Sequence, residues 1–288
     1  MKGLILKGIG GFYYIEYENE IYCCKPRGIF RKEDISPTVG DFVEFIAGQE
    51  GSEGSIEEIF PRKNKLTRPA LANIDKLFII VSTVAPNPNL LIVDKTIAIA
   101  QLKGIEPIIV ISKNDVKKRP EIESIYKKIG YKVFLVSLEV VPEDLKEEFK
   151  DCVCAVTGNS GAGKSTLLNN LFKDFNLQTG VTSKKLGRGK HTTRHTELLK
   201  IDKNSYVADT PGFSIIELQK YEIQDPSEIV SGFKEFESYL GKCKFVSCTH
   251  TCEKYCSVLE AVENGEIDAT RHQNYIAMYN ELKGVKAW

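Results

Sequence analysis

The 288-residue sequence lacks a long apolar run and has no excess of charge of either sign. Without a stretch of roughly 18 apolar residues it offers no candidate membrane-spanning helix, so we expect no membrane contact. The first residues do not combine a basic segment, an apolar run and a cleavage site, so we predict no signal peptide and a cytoplasmic location. Because 39 Lys and Arg balance 39 Asp and Glu, any surface that binds nucleic acid must be a local cluster of basic residues.

A disulfide framework of the secreted type is also not indicated. Such frameworks occur in small exported domains, whereas this chain is large and shows no export signal. Four of the eight cysteines lie between Cys243 and Cys256, which favours reduced thiols and a metal site in that segment. The other four occur in strand-like patterns and are predicted to be small buried apolar residues.

The first part of the sequence predicts a small barrel. Residues 1–62 contain about five short strands with Gly-rich turns and no helix, which is typical of a closed OB-type β-barrel. Barrels of this size often bind single-stranded or looped nucleic acid through aromatic and basic side chains. The segment PRKNKLTRP at residues 61–69 is polar and basic and has a proline at each end, which indicates a linker at residues 63–70.

The remaining sequence predicts two further domains. Residues 71–224 alternate strands with helices, including an apolar strand at 76–81 and a helix at 90–102. This alternation indicates a parallel sheet covered by helices, with ligands held at the carboxyl ends of the strands. Residues 225–288 are predicted to be helical except around the cysteine-rich segment.

A phosphate loop, here the segment GNSGAGKST at residues 158–166, has the G-x-x-x-x-G-K-[ST] pattern. It follows an apolar strand and opens a helical pattern, so the helix dipole points at the bound anion. Its glycines let backbone N–H groups converge on phosphate oxygens. Lys164 can reach the β- and γ-phosphates, which also makes it a predicted catalytic residue, and the Ser165 hydroxyl can ligate Mg²⁺. The residues predicted to bind the nucleotide are Gly158, Asn159, Ser160, Gly161, Ala162, Gly163, Lys164, Ser165 and Thr166.

A guanine segment, SKND at residues 112–115, follows another predicted strand. The Asp115 carboxylate can accept hydrogen bonds from the ring N–H and the amino group of guanine, a donor pair that adenine lacks. The stem of Lys113 would lie over the base. Ser112 stands where Asn is usual, so we expect a hydrogen bond to the neighbouring loops to be lost. The nucleotide-binding residues predicted here are Ser112, Lys113, Asn114 and Asp115, with Ser137 near guanine O6.

Two further segments predict a site that responds to the γ-phosphate. Asp209 and Gly212, in the sequence DTPG, fit a Mg²⁺-linked carboxylate followed by a glycine amide that contacts the γ-phosphate. Residues 187–195 are rich in Gly and cations, as expected of a loop that becomes ordered around Mg²⁺ and the triphosphate. Within this loop Thr193 is the predicted Mg²⁺ ligand, and Thr192 is the alternative.

The catalytic group is not given by the usual motif. Many GTPases have a water-orienting Gln directly after D-x-x-G, but this position holds Phe213, which cannot polarise water. We therefore predict slow hydrolysis unless another group supplies this function. His191 is the predicted catalytic residue, and His195 or a group donated by a partner is the alternative.

A set of metal ligands is predicted near the C-terminus. Cys243, Cys248, His250 and Cys256 supply three thiolates and an imidazole within a short segment. This set suits one tetrahedral Zn²⁺ in a closed structural site. Cys252 lies between the ligands and could replace His250 in an all-cysteine set.

The order of the motifs is unusual. The phosphate loop comes first in most GTP-binding domains, whereas here the guanine segment precedes it, which predicts a circular permutation. The barrel, the permuted GTPase and the zinc segment together resemble the small ribosomal subunit-dependent, circularly permuted GTPases of bacteria. The resemblance covers essentially the whole chain and rests on SKND, GNSGAGKST, GRGKHTTRH, DTPG followed by an apolar residue, and CKFVSCTHTCEKYC.

The resemblance implies an α/β fold and a function. The fold would be a circularly permuted P-loop GTPase domain with an N-terminal five-stranded OB-type β-barrel and a C-terminal helical zinc-binding domain. The activity would be GTP hydrolysis, stimulated by the small ribosomal subunit during its late maturation, with the barrel and zinc domain contacting rRNA. The family's H-T-T motif maps onto His191 and Thr193. The sequence departs from the family at Ser112 and at Cys252, where a polar residue is common. We expect a monomer.

Two alternative functions stay open at this point. A P-loop kinase or ATPase of a small metabolite would need an adenine site, which the guanine segment disfavours. An RNA-binding scaffold with a weak nucleotide site is disfavoured by the intact Lys164, Ser165 and Asp209.

Overall fold

The structure is a computed structural model that describes residues 1–28, 30, 35–49, 52–172, 196–209 and 216–284. Its first unit is a closed barrel with the strand order β1-β2-β3-β5-β4, in which β4 also pairs with β1. The predicted five-stranded barrel is therefore confirmed. Ile5, Ile15, Val43, Phe45 and Ile56 fill its interior. The strands are β1 (Lys2–Ile9), β2 (Phe12–Tyr17), β3 (Glu20–Pro26), β4 (Phe42–Ile46) and β5 (Gly54–Ile59).

A hairpin follows the barrel, in the segment predicted to be a linker. Its strands are β6 (Lys65–Thr67) and β7 (Ala70–Ala72). Leu66 and Leu71 are buried in the hairpin and join the main hydrophobic core. The segment is thus ordered by two apolar side chains within a polar and basic sequence. The domain boundaries at residues 62, 70 and 224 stay a prediction.

The central unit is a six-stranded sheet with the order β10-β9-β8-β11-β13-β12. Its strands run parallel except for the edge strand β12, which is antiparallel to β13. The apolar strands confirm the predicted α/β alternation, whereas the mixed sequence of β12 gave no strand signal. The strands are β8 (Lys76–Ser82), β9 (Glu106–Ser112), β10 (Lys132–Leu135), β11 (Val153–Gly158), β12 (Leu198–Asp202) and β13 (Ser205–Asp209).

Local sequence determines where the helices of this unit begin and end. The Asn89 side chain accepts hydrogen bonds from the N–H groups of Leu91 and Ile92, which caps the first helix. Pro120 opens the second helix, and Gly130 ends it with a left-handed backbone at φ 91°. The helices are α1 (Leu90–Leu102), α2 (Pro120–Ile129), α3 (Glu143–Glu147) and α4 (Lys164–Leu171).

The C-terminal unit packs directly against α1. A Cβ at Gly232 would lie 2.8 Å from the Cβ of Ala98, so the two backbones approach too closely for a larger residue. The unit is helical around the cysteine-rich segment, as predicted. It contains 3-10 turns at Leu218–Tyr221, Pro226–Gly232 and Lys234–Tyr239, and the helices α5 (Ser257–Glu263) and α6 (Ala269–Leu282). Across the described part of the chain, every helix is too short or too polar to traverse a lipid bilayer.

Candidate nucleotide-binding site and metal cluster

The predicted nucleotide-binding segments meet at one edge of the sheet. β11 lies between β8 and β13 and runs parallel to both, and β9 pairs with the other side of β8. The segments that follow these parallel strands therefore emerge at the same edge, where α/β sheets hold their ligands. The phosphate loop follows β11, and the guanine segment begins at the last residue of β9.

The backbone of the phosphate loop requires its glycines. A Cβ at Gly158 would lie 2.5 Å from the carbonyl oxygen of Ile80, and the φ of Gly158 is 149°. Gly161 and Gly163 have left-handed backbones with φ of 81° and 101°. Lys164 opens α4, and its Nζ donates to the carbonyls of Gly158 at 2.7 Å and Asn159 at 3.2 Å. The ammonium group thus lies across the loop that is predicted to hold phosphate.

The guanine segment contacts the phosphate loop directly. The Ser112 hydroxyl donates to the carbonyl of Ala162 at 2.6 Å, and both groups are buried. Lys113 Nζ donates to the carbonyl of Gly161 at 2.8 Å. Ser112, which stands where Asn is usual, therefore still makes a hydrogen bond to a neighbouring loop, because its short side chain lies close to the Ala162 carbonyl. Asp115 is exposed two residues further on.

Ser137 lies in a tight turn after β10. Its hydroxyl accepts a hydrogen bond from the N–H of Val140 at 3.0 Å, and its own N–H donates to the Val140 carbonyl at 2.9 Å. The turn is tied to the guanine segment through the strand before it, since Asn114 N–H donates to the Val136 carbonyl at 3.2 Å. Ser137 therefore follows the strand that neighbours the guanine segment, as predicted.

The four predicted metal ligands come together in one place. The donor atoms of Cys243, Cys248, His250 and Cys256, called here the Cys3His cluster, all lie within 4.8 Å of one another. His250 Nδ1 is 3.5 Å from Cys243 Sγ and 3.3 Å from Cys256 Sγ. These separations fit ligands around a single tetrahedral ion. Cys252 is exposed and is not among the convergent donors.

The loop that carries the Cys3His cluster is held by its surroundings. His272 Nε2 is 2.8 Å from the His250 carbonyl oxygen, and the Tyr275 hydroxyl donates to the Thr249 carbonyl at 2.7 Å. Burial lowers the pKa of His250, which favours the neutral imidazole that metals bind. Burial alone would raise the pKa of Glu253, but hydrogen bonds from Thr249 and nearby backbone N–H groups lower it to about 2.

Comparison with known proteins agrees with this arrangement. Residues 59–219 match the RsgA GTPase profile, and residues 2–56 match the profile of the RsgA N-terminal domain. The chain belongs to the RsgA GTPase family. It is accordingly a GTPase, and the OB-type barrel and the GTPase region both have counterparts in this family.

Members of the RsgA family resemble the chain over its full length. The small ribosomal subunit biogenesis GTPase RsgA of Ruminiclostridium cellulolyticum is 43% identical over 98% of this chain and 94% of the relative. The crystal structure of YjeQ from Thermotoga maritima is 35% identical, with a TM-score of 0.83 and 99% of each chain covered. YloQ, described as a circularly permuted GTPase, is 32% identical, with a TM-score of 0.77 and coverage of 100% of this chain and 96% of YloQ. The circular permutation predicted from the motif order is confirmed.

Several predicted site residues lie beyond what the structure describes. Asp209 is the last residue of β13, where it stands in register with Val156. The residues outside the described part are His191, Thr192, Thr193, His195 and Gly212. Their assigned roles in the RsgA fold stay predictions.

Two residues that the sequence analysis did not single out hold the loops of the site. The Thr83 hydroxyl donates to the Lys113 carbonyl at 2.8 Å, and Asn170 Nδ2 donates to the Leu138 carbonyl at 3.1 Å. Neither residue belongs to a motif. The sequence signal for Thr83 is a polar residue directly after an apolar strand, at the end where α/β sheets hold their ligands.

Proposed function

We propose that this GTPase acts in late maturation of the small ribosomal subunit and that the subunit stimulates its GTP hydrolysis. The observation that carries the nucleotide assignment is the direct contact of Ser112 and Lys113 with the phosphate loop. A guanine-reading segment and a phosphate-binding segment can then bind the two ends of one nucleotide. The names of the relatives support the role in subunit biogenesis.

In this proposal each part of the nucleotide has its own residues. Asp115 accepts hydrogen bonds from guanine, and Lys164 and the backbone N–H groups of the phosphate loop bind the phosphates of GTP or GDP. Ser165 is half-buried in the first turn of α4, where a hydroxyl is suited to hold Mg²⁺ next to the phosphates. Bound Mg²⁺ would neutralise charge on the β- and γ-phosphates. Thr193 would be its second protein ligand.

The proposed catalytic group is His191. Phe213 replaces the Gln that orients water in many GTPases, so His191 would orient the attacking water, with His195 or a partner's group as the alternative. Asp209 and Gly212 would contact Mg²⁺ and the γ-phosphate. His191 and Thr193 both belong to the Gly-rich, basic segment at residues 187–195, so we propose that the subunit stimulates hydrolysis through this segment.

The Cys3His cluster would hold one structural Zn²⁺. Three thiols and a neutral imidazole are the donor set that zinc binds in closed sites, and all four donors are supplied by the protein. The ion would stabilise the loop between the turn at Lys234–Tyr239 and α5. It would take no part in GTP hydrolysis, because a tetrahedral site with four protein ligands leaves no position for a substrate.

Exposed aromatic and basic side chains support rRNA as the partner. Near the Cys3His cluster, Lys244 Nζ lies 4.5 Å from the ring centroid of exposed Tyr255. On the barrel, the Nζ of exposed Lys25 lies 4.6 Å from the ring centroid of half-buried Phe12 and also pairs with Glu53. Such pairs suit both stacking on bases and attraction to phosphates. We propose that the protein acts as a monomer in the cytoplasm, where small subunits mature.

The test is GTP turnover with and without purified small ribosomal subunits. We expect slow turnover by the protein alone and a large increase with subunits, and no increase with an equal amount of large subunits. Equal rates with and without small subunits would contradict the proposal. Thermal-shift measurements with GDP and ADP distinguish this proposal from the metabolite-kinase alternative. Only a nucleotide that binds the folded protein raises the melting temperature, so a GTPase is stabilised by GDP and an adenine-binding kinase by ADP.

A further inference from the structure

Thr83 lies directly after β8 and is completely buried beneath the guanine segment. It makes two hydrogen bonds to the beginning of that segment. Its backbone N–H donates to the Ser112 carbonyl at 3.1 Å, and its hydroxyl donates to the Lys113 carbonyl at 2.8 Å. A single residue directly after the neighbouring strand therefore holds two successive peptide groups of the guanine segment.

The Lys113 backbone needs such support. Its φ is 59°, in the left-handed region, which is strained for a residue with a Cβ. Besides the Thr83 hydroxyl, the Lys113 carbonyl accepts from the N–H groups of Val116 at 3.0 Å and Lys117 at 3.3 Å. These two donors belong to the same loop, so among the described residues it is Thr83 that connects this carbonyl to the end of β8.

A third hydrogen bond joins Thr83 to the other end of the loop. Arg119, which precedes α2, donates from Nε to the Thr83 carbonyl at 3.3 Å. Thr83 thus contacts the loop where it leaves β9 and where it enters α2. Asp115 lies between these two anchored points, and the direction of its carboxylate depends on the backbone that they fix.

We propose that Thr83 is a positioning residue for guanine recognition, because its hydroxyl fixes the Lys113 backbone so that the Asp115 carboxylate faces the base. The inference rests on the guanine site of the proposed function. Thr83 itself touches the loop and not the nucleotide.

The inference predicts a loss of base discrimination. Hypoxanthine has the ring N–H of guanine but lacks its amino group, so inosine diphosphate makes one contact fewer with Asp115 than GDP. A loosened segment should weaken GDP binding more than binding of inosine diphosphate. We expect Thr83→Val to lower the preference for GDP over inosine diphosphate by roughly three- to ten-fold, the effect of one hydrogen bond.

The experiment measures both equilibrium affinities and the melting temperature for a set of variants. Thr83→Val and Thr83→Ala both remove the hydroxyl, so Thr83→Ala serves if the added methyl of valine prevents folding. Thr83→Ser keeps the hydroxyl and should keep the wild-type preference. Thr96→Val is the matched control, since Thr96 is also buried and donates to a carbonyl, that of Ile92 at 2.8 Å, but lies on α1.

The outcomes separate the two proposals. Asp115→Ala should abolish the preference for GDP; if it does not, the guanine site itself is wrong. If Asp115→Ala abolishes the preference while Thr83→Val and Thr83→Ala keep it, only the role of Thr83 is overturned. A parallel loss of both affinities with an unchanged ratio also overturns it, since that result shows a general structural effect.

Discussion

Lys164 lies where its ammonium group can exchange hydrogen bonds to protein carbonyls for hydrogen bonds to a ligand. Its Nζ donates to two carbonyls of the phosphate loop, those of Gly158 and Asn159. Phosphate oxygens are stronger acceptors because they are charged, and charge-assisted hydrogen bonds are about twice as strong as neutral ones. These hydrogen bonds place the ammonium group next to the backbone of the phosphate loop.

Replacing Lys164 by Ala should weaken GTP and GDP binding strongly. Loss of hydrogen bonds to a charged group costs about 1.5–3 kcal/mol, or roughly ten- to a hundred-fold in affinity. Titration with a fluorescent GDP analogue measures the change. Lys127→Ala is the control, since Lys127 lies on the exposed face of α2 and pairs with Glu123. Equal affinity of Lys164→Ala and Lys127→Ala would contradict the role of Lys164.

Replacing His191 should separate binding from hydrolysis. We expect His191→Ala to bind GTP with near wild-type affinity and to lose at least about a hundred-fold in turnover with small subunits, the range for a group that assists proton transfer. Single-turnover hydrolysis with saturating subunits gives the rate. His195→Ala is made in parallel. If His191→Ala hydrolyses GTP normally and His195→Ala does not, the catalytic role belongs to His195.

The motifs predicted which residues form the site but not how they are supported. Ser112 departs from the usual Asn, and the sequence could not show that its hydroxyl reaches Ala162, 50 residues further along the chain. Thr83 belongs to no motif. Its role depends on the pairing of β8 with β9, which a sequence motif does not record. Motif chemistry follows from residue type and spacing, whereas supporting contacts depend on which strands become neighbours.

At the scale of elements, strands and helices differ in how far the local sequence determines where they form. The helix predicted at residues 90–102 is found there as α1, because its cap and spacing are encoded within the segment. Strands β8 and β11 were recognised from continuous apolar runs. β12 and the β6–β7 hairpin were not, since they are short and partly polar and are stabilised by their partners.

The end of α2 offers a test of locally encoded structure. Gly130 has φ 91°, and a Cβ there would find only Lys234 Nζ within 4 Å, at 3.7 Å. Gly130→Ala should therefore destabilise the fold through backbone strain alone, by roughly 1–2 kcal/mol. Gly130→Asn should be milder, because Asn adopts left-handed backbones more readily. Thermal unfolding ranks the stabilities of wild type, Gly130→Asn and Gly130→Ala. An alanine variant as stable as wild type would contradict the strain at Gly130.

The Cys3His cluster gives a second test at this scale. Cys256→Ser should lose zinc and unfold at a lower temperature, because structural zinc sites contribute directly to folding. Cys252→Ser should keep zinc, since the Cys252 thiol is exposed and is not among the convergent donors. Metal analysis of the purified variants provides the comparison. Zinc loss in Cys252→Ser together with retention in His250→Ala would support the all-cysteine ligand set instead.

At the scale of the whole molecule, buried and partly buried charges join the three units. The barrel meets the sheet edge where Lys7 pairs with Glu197 at 2.7 Å and where the Tyr206 hydroxyl donates to Glu16 at 2.7 Å. The C-terminal unit meets α1 through Arg271, whose guanidinium contacts Asp94 at 2.6 Å and Glu235 at 2.7 Å. Arg271 and Asp94 are 177 residues apart in sequence, so their pairing could not be predicted from any local pattern.

Arg271 should therefore be essential to stability. Arg271 and Asp94 are each only 1% exposed at the side chain, and the Tyr126 hydroxyl and Asn274 also donate to Asp94. Arg271→Leu would leave Asp94 and Glu235 without their cation, and removal of one partner from a buried pair costs about 3–5 kcal/mol. Adding Asp94→Asn should restore part of the loss, because the neutral amide needs no counter-charge. Urea unfolding of both variants and of Asp94→Asn alone measures this coupling. Additive effects would show that the two side chains do not depend on each other, in which case the attachment of the C-terminal unit to α1 must come from the apolar contacts around Gly232.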